Sequence, residues 1–141
     1  MSKLLTFSIL FSLLVSHAQE RPIVGAIRWD AWLGESNNVG KDVNQSLSPN
    51  HWHYRLPFYS EVLGTDSVNI DGTTQDIANK EIEYAHHAKL DYFAFLLYDD
   101  TYRLSDGIHL FLSSPIKDSV NFCAILNEIT SETVEETTSR V

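Results

Sequence analysis

The sequence contains a single cysteine, Cys123, so the chain cannot form an internal disulfide bond. Cys123 lies in the apolar run VNFCAIL, which predicts a small buried side chain, because a reactive thiol needs exposure and a nearby base. Positive charge is also scarce, with 10 Lys and Arg against 19 Asp and Glu and a formal net charge of −9. An acidic chain without basic clusters disfavours nucleic acid and anionic membrane surfaces as partners, so we expect an uncharged partner.

Several motifs that carry a known chemical mechanism are missing. No glycine-rich loop follows the first apolar run, which disfavours a nucleotide-binding fold. The sequence has no His-Glu-x-x-His pair, no Cys-x-x-Cys pair and no Gly-x-Ser-x-Gly elbow. His86 and His87 are adjacent, which is poor geometry for chelation, because ligands on a helix sit three or four positions apart. We therefore expect neither a metal site nor a cofactor.

Residues 1–18 have the pattern of a secretory signal peptide. Lys3 supplies a basic start, an apolar run extends from Leu4 to Val15, and small residues precede a cleavage position between Ala18 and Gln19. The apolar run is too short to remain as a membrane-spanning helix. We therefore expect a secreted or periplasmic protein with no integral membrane segment after cleavage.

Three short apolar runs dominate the rest of the chain, in PIVGAIRW, DYFAFLLYDD and VNFCAILNE. They are nearly continuous instead of alternating, which is typical of parallel strands that are covered on both faces. Two helical patterns lie between them, in DGTTQDIANKEIEYAHHAKL and LSDGIHLFLSSP. Strands that alternate with helices predict an α/β fold with parallel pairing and right-handed crossovers.

Two segments have weaker patterns. Residues 33–66 are rich in Asn, Ser and Gly, and they predict a long connection that is functional or mobile. Within it, LPFYSEVL predicts a short amphipathic helix. Residues 131–141 are polar and acidic and predict a loose tail.

Polar and aromatic side chains stand at the carboxyl ends of all three predicted strands. Ligands of parallel α/β folds bind at these ends, where side chains from several strands converge. Indole and phenol rings beside carboxylates and amides suit a sugar, whose C–H face stacks on a ring while its hydroxyls need fixed partners. The predicted glycan-binding rim consists of Arg28, Trp29, Asp30, Trp32, Tyr98, Asp99, Asn127 and Glu128.

Each of these assignments has a simpler alternative. An Asp after a strand is often a turn residue or the N-cap of the next helix, and Asp99 fits that description. Asp30 beside Arg28 is also explained by an ordinary ion pair. Asn127 and Glu128 are also explained as the start of the polar tail.

Four longer stretches carry a further pattern: VGAIRWDAW, WHYRLPFY, DGTTQDIANKEIEYAHHAKLDYFAFLLYDD and VNFCAILNE. Together they resemble the N-terminal part of glycoside hydrolase family 71/99-like proteins, which include the WbsX-type domains. The resemblance extends from Ile23 to Glu128 and is most specific between Glu81 and Tyr98. It implies a (β/α)8 TIM-type barrel that acts on glycans. The family's catalytic carboxylates lie on later strands, so no catalytic residue is carried over, and Asn127 and Glu128 are candidates for substrate contact only.

A complete barrel of this type needs about 250 residues. Residues 19–130 therefore predict only the first three βα units of the barrel. We expect a truncated member that lacks the catalytic carboxylates, so this chain acts on or binds glycans but is inactive as an enzyme by itself. Two alternatives remain open. One is a non-catalytic carbohydrate-binding protein with the same rim. The other is a secreted doubly wound α/β module with an unrelated ligand, which strand order distinguishes from a barrel.

Overall fold

The structure is a computed structural model that describes residues 21–126. The predicted signal peptide, the polar tail, and the rim residues Asn127 and Glu128 lie outside the described residues. The helices and strands are β1 (Gly25–Arg28), α1 (Asn38–Leu47), β2 (Glu61–Gly64), β3 (Ser67–Asn69), α2 (Gln75–His87), β4 (Tyr92–Leu96), α3 (Asp106–Ser113) and β5 (Asn121–Ile125). Short 3₁₀ turns lie at Asn50–Arg55, Arg103–Ser105 and Lys117–Ser119.

The strands β1, β4 and β5 form a parallel sheet in which β4 is the central strand. Ala26 lies opposite Phe93, and Phe93 lies opposite Phe122. The predicted α/β fold with parallel pairing is therefore confirmed. The strand order along the sheet is the same as the order of these strands along the chain.

The main core lies between this sheet and the two crossover helices. Alternate residues of a strand share a face, so Phe93 and Phe95 point to the same side of β4. Both rings pack against Phe111 of α3, with centroid distances of 6.1 and 5.2 Å. Side chains from both helices thus cover one face of the sheet, and the core cluster consists of Ile82, Ala85, Phe93, Phe95, Ile108, Phe111 and Val120.

In the described residues, no helix packs against the opposite face of the sheet. Ile27, Ala94 and Cys123 are aligned across the three strands on this face, where Ile27 is 74% exposed and the central Ala94 is 5% exposed. Cys123 is also exposed, so its predicted burial is wrong. The prediction of strands covered on both faces is wrong for β1 and β5, because both helices pack on one side of the sheet and these two are its edge strands in the described residues.

The connection between β1 and α2 contains more regular structure than its sequence predicts. The side chain of Asn37 caps α1 by accepting a hydrogen bond of 2.8 Å from the backbone N–H of Gly40. The stretch LPFYSEVL forms a turn followed by β2, so the predicted helix there is wrong. β2 pairs with β3 as an antiparallel hairpin in which Val62 lies opposite Val68.

A buried amide joins α1 to this hairpin. Asn44 is 3% exposed, and its Oδ1 accepts a hydrogen bond of 3.0 Å from the backbone N–H of Ile70. Its Nδ2 donates to Glu35 Oε1 at 3.2 Å. Among the hydrogen bonds of the described residues, the Asn44 side chain is therefore the partner of the buried backbone N–H of Ile70.

We expect Asn44→Ala to lower the free energy of unfolding by about 2 kcal/mol, because it leaves the buried N–H of Ile70 without a partner. Urea unfolding followed by circular dichroism measures this change. Gln45→Ala is the matched control on an exposed position of the same helix, and its effect should stay within about 0.5 kcal/mol. Equal losses in the two variants would contradict the role of the Asn44 amide.

Candidate functional site

Arg28 is the last residue of β1, and its side chain turns toward the helices. The guanidinium carbon lies 5.1 Å from the ring centre of Phe93 and 5.4 Å from that of Phe95. Only 14% of the side chain is exposed. The carboxyl end of β1 therefore carries a positive charge that rests on the aromatic core.

Two carboxylates hold this charge and complete what we call the Arg28 cluster, formed by Arg28, Asp30 and Glu81. Arg28 Nη2 lies 2.5 Å from Asp30 Oδ1 and 2.9 Å from Glu81 Oε2. The side chains of Asp30 and Glu81 are 12% and 21% exposed. The pairing of Arg28 with Asp30 agrees with the simpler interpretation of these residues, and Glu81 extends the pair into a cluster.

Glu81 is absent from the predicted rim because it comes from α2 and not from the end of a strand. A signal for it exists in the sequence. Glu81 lies three residues after Ala78 and four residues before Ala85, so it falls on the stripe that α2 buries. A carboxylate on a buried helical stripe needs a partner, and Arg28 is that partner.

Burial raises the pKa of Glu81, and the charge of Asp30 raises it further, while Arg28 opposes part of this shift. Burial also lowers the pKa of Arg28, but the two carboxylates more than offset this effect, so its pKa is raised overall. The guanidinium therefore stays charged. With both carboxylates ionised, the cluster carries one excess negative charge.

A small cleft opens beside the Arg28 cluster. Burial raises the pKa of Tyr59, and the carboxylate of Glu81 raises it further, so the phenol stays neutral and can donate a hydrogen bond. Asp30 packs closely against Gly107 in the first turn of α3, where a side chain would collide with the carboxylate. The cleft is lined by Arg28, Asp30, Trp32, Leu33, Tyr59, Gly72, Thr73, Glu81, Asp106, Gly107 and Leu110.

Trp32 connects this cleft to two neighbouring grooves. One groove runs beside β1 and includes Trp29 and Tyr84. The other lies between the two tryptophans and α1. Trp29 is 52% exposed, so its indole is accessible at the same rim. The structure thus brings together the predicted rim residues Arg28, Trp29, Asp30 and Trp32.

Tyr98 and Asp99 occupy a different position, in the loop after β4. Asp99 Oδ1 accepts hydrogen bonds from the backbone N–H and the hydroxyl of Thr101, at 2.8 and 2.7 Å. The backbone carbonyl of Tyr98 accepts a hydrogen bond from Ser105. Neither residue lines the cleft or the two grooves that share Trp32. Asp99 therefore forms the turn that its simpler interpretation describes.

Within residues 21–126, no group of three or more His, Cys, Asp or Glu is placed to hold a metal ion. No helix in this range has the length and apolar character needed to cross a membrane. No protein-family model, curated protein or solved structure matches the chain. Family membership and activity therefore remain predictions.

We expect Arg28→Met to lower the free energy of unfolding by roughly 3 kcal/mol, because Asp30 and Glu81 would be left as unpaired, largely buried charges. Urea unfolding at neutral pH measures the loss. Arg55→Met is the control, since Arg55 is exposed and contacts Trp52 only at the surface. Adding Asp30→Asn and Glu81→Gln to Arg28→Met should recover part of the loss, and no recovery would contradict the electrostatic explanation.

The raised pKa of Glu81 gives a second prediction, on pH dependence. The folded state binds the Glu81 proton more tightly than the unfolded state, whose pKa is near 4.5. The favourable contribution of Glu81 is therefore complete below that pH and is lost as the pH rises through the higher folded pKa. Wild type should lose stability relative to Glu81→Gln as the pH rises from about 4.5 through the raised folded pKa, by about 1.4 kcal/mol for each unit of pKa shift.

Glu83→Gln is the matched control for this measurement. Glu83 lies on the same helix with 45% of its side chain exposed, and its hydrogen bond with Lys80 lowers its pKa. Its contribution should therefore be lost as the pH falls, which is the opposite direction. Urea unfolding of the three proteins across this pH range distinguishes the two signs, and a parallel response of both variants would contradict the assignment to Glu81.

Proposed function

We propose that the chain is a secreted carbohydrate-active protein of glycoside hydrolase-like type, and that the rim around Trp32 binds a glycan. The observation that carries this proposal is that both tryptophans and the Arg28 cluster line the adjoining cleft and groove that share Trp32. An indole offers a flat surface to the C–H face of a sugar, while charged groups beside it accept and donate hydrogen bonds to hydroxyls.

The arrangement of the sheet supports a finer proposal for the fold, that the described residues are the first three βα units of a (β/α)8 barrel. The strands follow one another in sequential order, and both crossover helices pack on the same face. The reversal of strand order that defines a doubly wound sheet does not occur among the three parallel strands of the described residues. The face without helices, which carries Ile27, Ala94 and Cys123, would then point into the barrel, whose interior is filled by branched and apolar side chains.

The pattern of residues 1–18 and the net charge of −9 support a secreted protein with an uncharged glycan as partner and without nucleic acid. A second candidate function is a non-catalytic carbohydrate-binding protein. It is favoured by the contact of Arg28 with both carboxylates of the cluster. Glycoside hydrolysis needs one carboxyl group as acid and a second as base or nucleophile. Asp30 and Glu81 are both ion-paired with Arg28, and this arrangement suits the binding of a glycan better than the transfer of a proton to it.

Titration of the full secreted chain with mannose-rich and algal polysaccharides tests the proposal, with intrinsic tryptophan fluorescence as the readout. We expect saturable quenching, and a loss of affinity of roughly tenfold or more in Trp29→Ala and Trp32→Ala, as for truncation of an aromatic anchor. Trp52→Phe is the control, because Trp52 lies against Arg55 and lines none of the three clefts around Trp32.

Release of reducing sugar in the same samples separates the two candidates. Release that is lost in Glu81→Gln supports a hydrolase, and saturable binding without release supports the binding protein. A folded chain that binds none of these polysaccharides would contradict both.

A further inference from the structure

The groove between the two tryptophans and α1 differs in chemistry from the cleft at the Arg28 cluster. We call it the α1 groove, and its lining residues are Trp29, Trp32, Val39, Asp42, Val43, Ser46 and Leu47. Its volume is about 430 Å³, which lies within the range of roughly 300–1,000 Å³ for small-molecule sites. The α1 groove can therefore hold a ligand the size of a sugar ring.

The walls of the α1 groove are almost entirely apolar. Val39, Val43 and Leu47 are spaced four residues apart, so they form one stripe of α1 that faces the indoles. The hydroxyl of Ser46 already donates a hydrogen bond of 2.7 Å to the backbone carbonyl of Asp42. The carboxylate of Asp42 is thus the main polar group that the groove offers to a ligand.

This lining restricts the ligand in two ways. A hydroxyl that is buried against aliphatic side chains loses its hydrogen bonds to water without a replacement. Ring substituents with a hydroxyl are therefore disfavoured against the apolar walls of the groove. An anionic ring is disfavoured by the carboxylate of Asp42 and by the acidic chain as a whole. A neutral ring with one apolar substituent and hydroxyls along a single edge fits both limits.

We infer that the α1 groove is a subsite for a 6-deoxyhexose, a neutral sugar whose C5 carries a methyl group in place of a hydroxymethyl group. The inference rests on the proposed function and deepens it by naming the sugar class. Trp32 is shared by the α1 groove and the cleft at the Arg28 cluster. One glycan can therefore place a deoxy residue against α1 while a more polar residue reaches Arg28.

Pairs of methyl glycosides that differ only at C6 test this inference. The probes are methyl β-D-fucopyranoside against methyl β-D-galactopyranoside, and methyl α-L-rhamnopyranoside against methyl α-L-mannopyranoside. The measurements use the Trp52→Phe variant, so that the tryptophan fluorescence comes from Trp29 and Trp32 alone. We expect the deoxy member of at least one pair to bind roughly tenfold more tightly. Its methyl group gains apolar contact in the groove, whereas the hydroxyl of the other member loses its hydrogen bonds to water.

Val43→Ser places a hydroxyl in the α1 groove and should reduce this preference to about twofold or less, because the methyl group loses its apolar contact. Val24→Ser is the matched control, since Val24 precedes β1 at the opposite end of the strand. The preference should persist in Val24→Ser.

Equal affinity within both pairs, or a preference that Val43→Ser leaves unchanged, would overturn the 6-deoxyhexose subsite. If none of the four glycosides binds while the polysaccharides still do, the subsite is also overturned and the proposed function stands. If neither the glycosides nor the polysaccharides bind, the proposed function fails as well.

Discussion

The contact of one guanidinium with two carboxylates holds the rim of this protein together. Arg28 belongs to β1, Asp30 to the segment after it and Glu81 to α2, so three parts of the chain meet at one charge. The same guanidinium rests on Phe93 and Phe95, which connects the rim to the hydrophobic core. Charges this deeply placed are stable only when they stay paired, and the geometry of the whole rim follows from that constraint.

Backbone hydrogen bonds then fix the tryptophan that joins the cleft and grooves. The carbonyl of Trp32 accepts a hydrogen bond of 2.8 Å from the N–H of Gly72, and Leu33 forms a bridge with Asp71. The N–H of Gly34 donates to the carbonyl of Ile70 at 2.9 Å. The chain on both sides of Trp32 is therefore held by the segment that leads into α2, so the backbone that carries the indole is fixed before any ligand arrives.

The sequence predicts those parts of the structure that depend on local pattern. The parallel strands and both crossover helices follow from apolar runs and helical periodicity. The exposure of Cys123 does not, because an apolar run has the same appearance whether or not a neighbour covers it. Likewise, Arg28 and Asp30 are close in the chain and their pairing is foreseeable, whereas the contact with Glu81 depends on how α2 packs against β1.

The buried amide of Asn44 has a practical consequence for production of the protein. Asn44, Gln45 and Ser46 form an acceptor sequence for N-linked glycosylation. A carbohydrate attached to Asn44 Nδ2 has no room in a site that is 3% exposed, and it would leave only one N–H for the hydrogen bonds to Glu35 and Asn69. A yeast or insect secretory pathway that modifies Asn44 during synthesis would thus trap the chain outside its native packing, so the expression host decides whether α1 can dock.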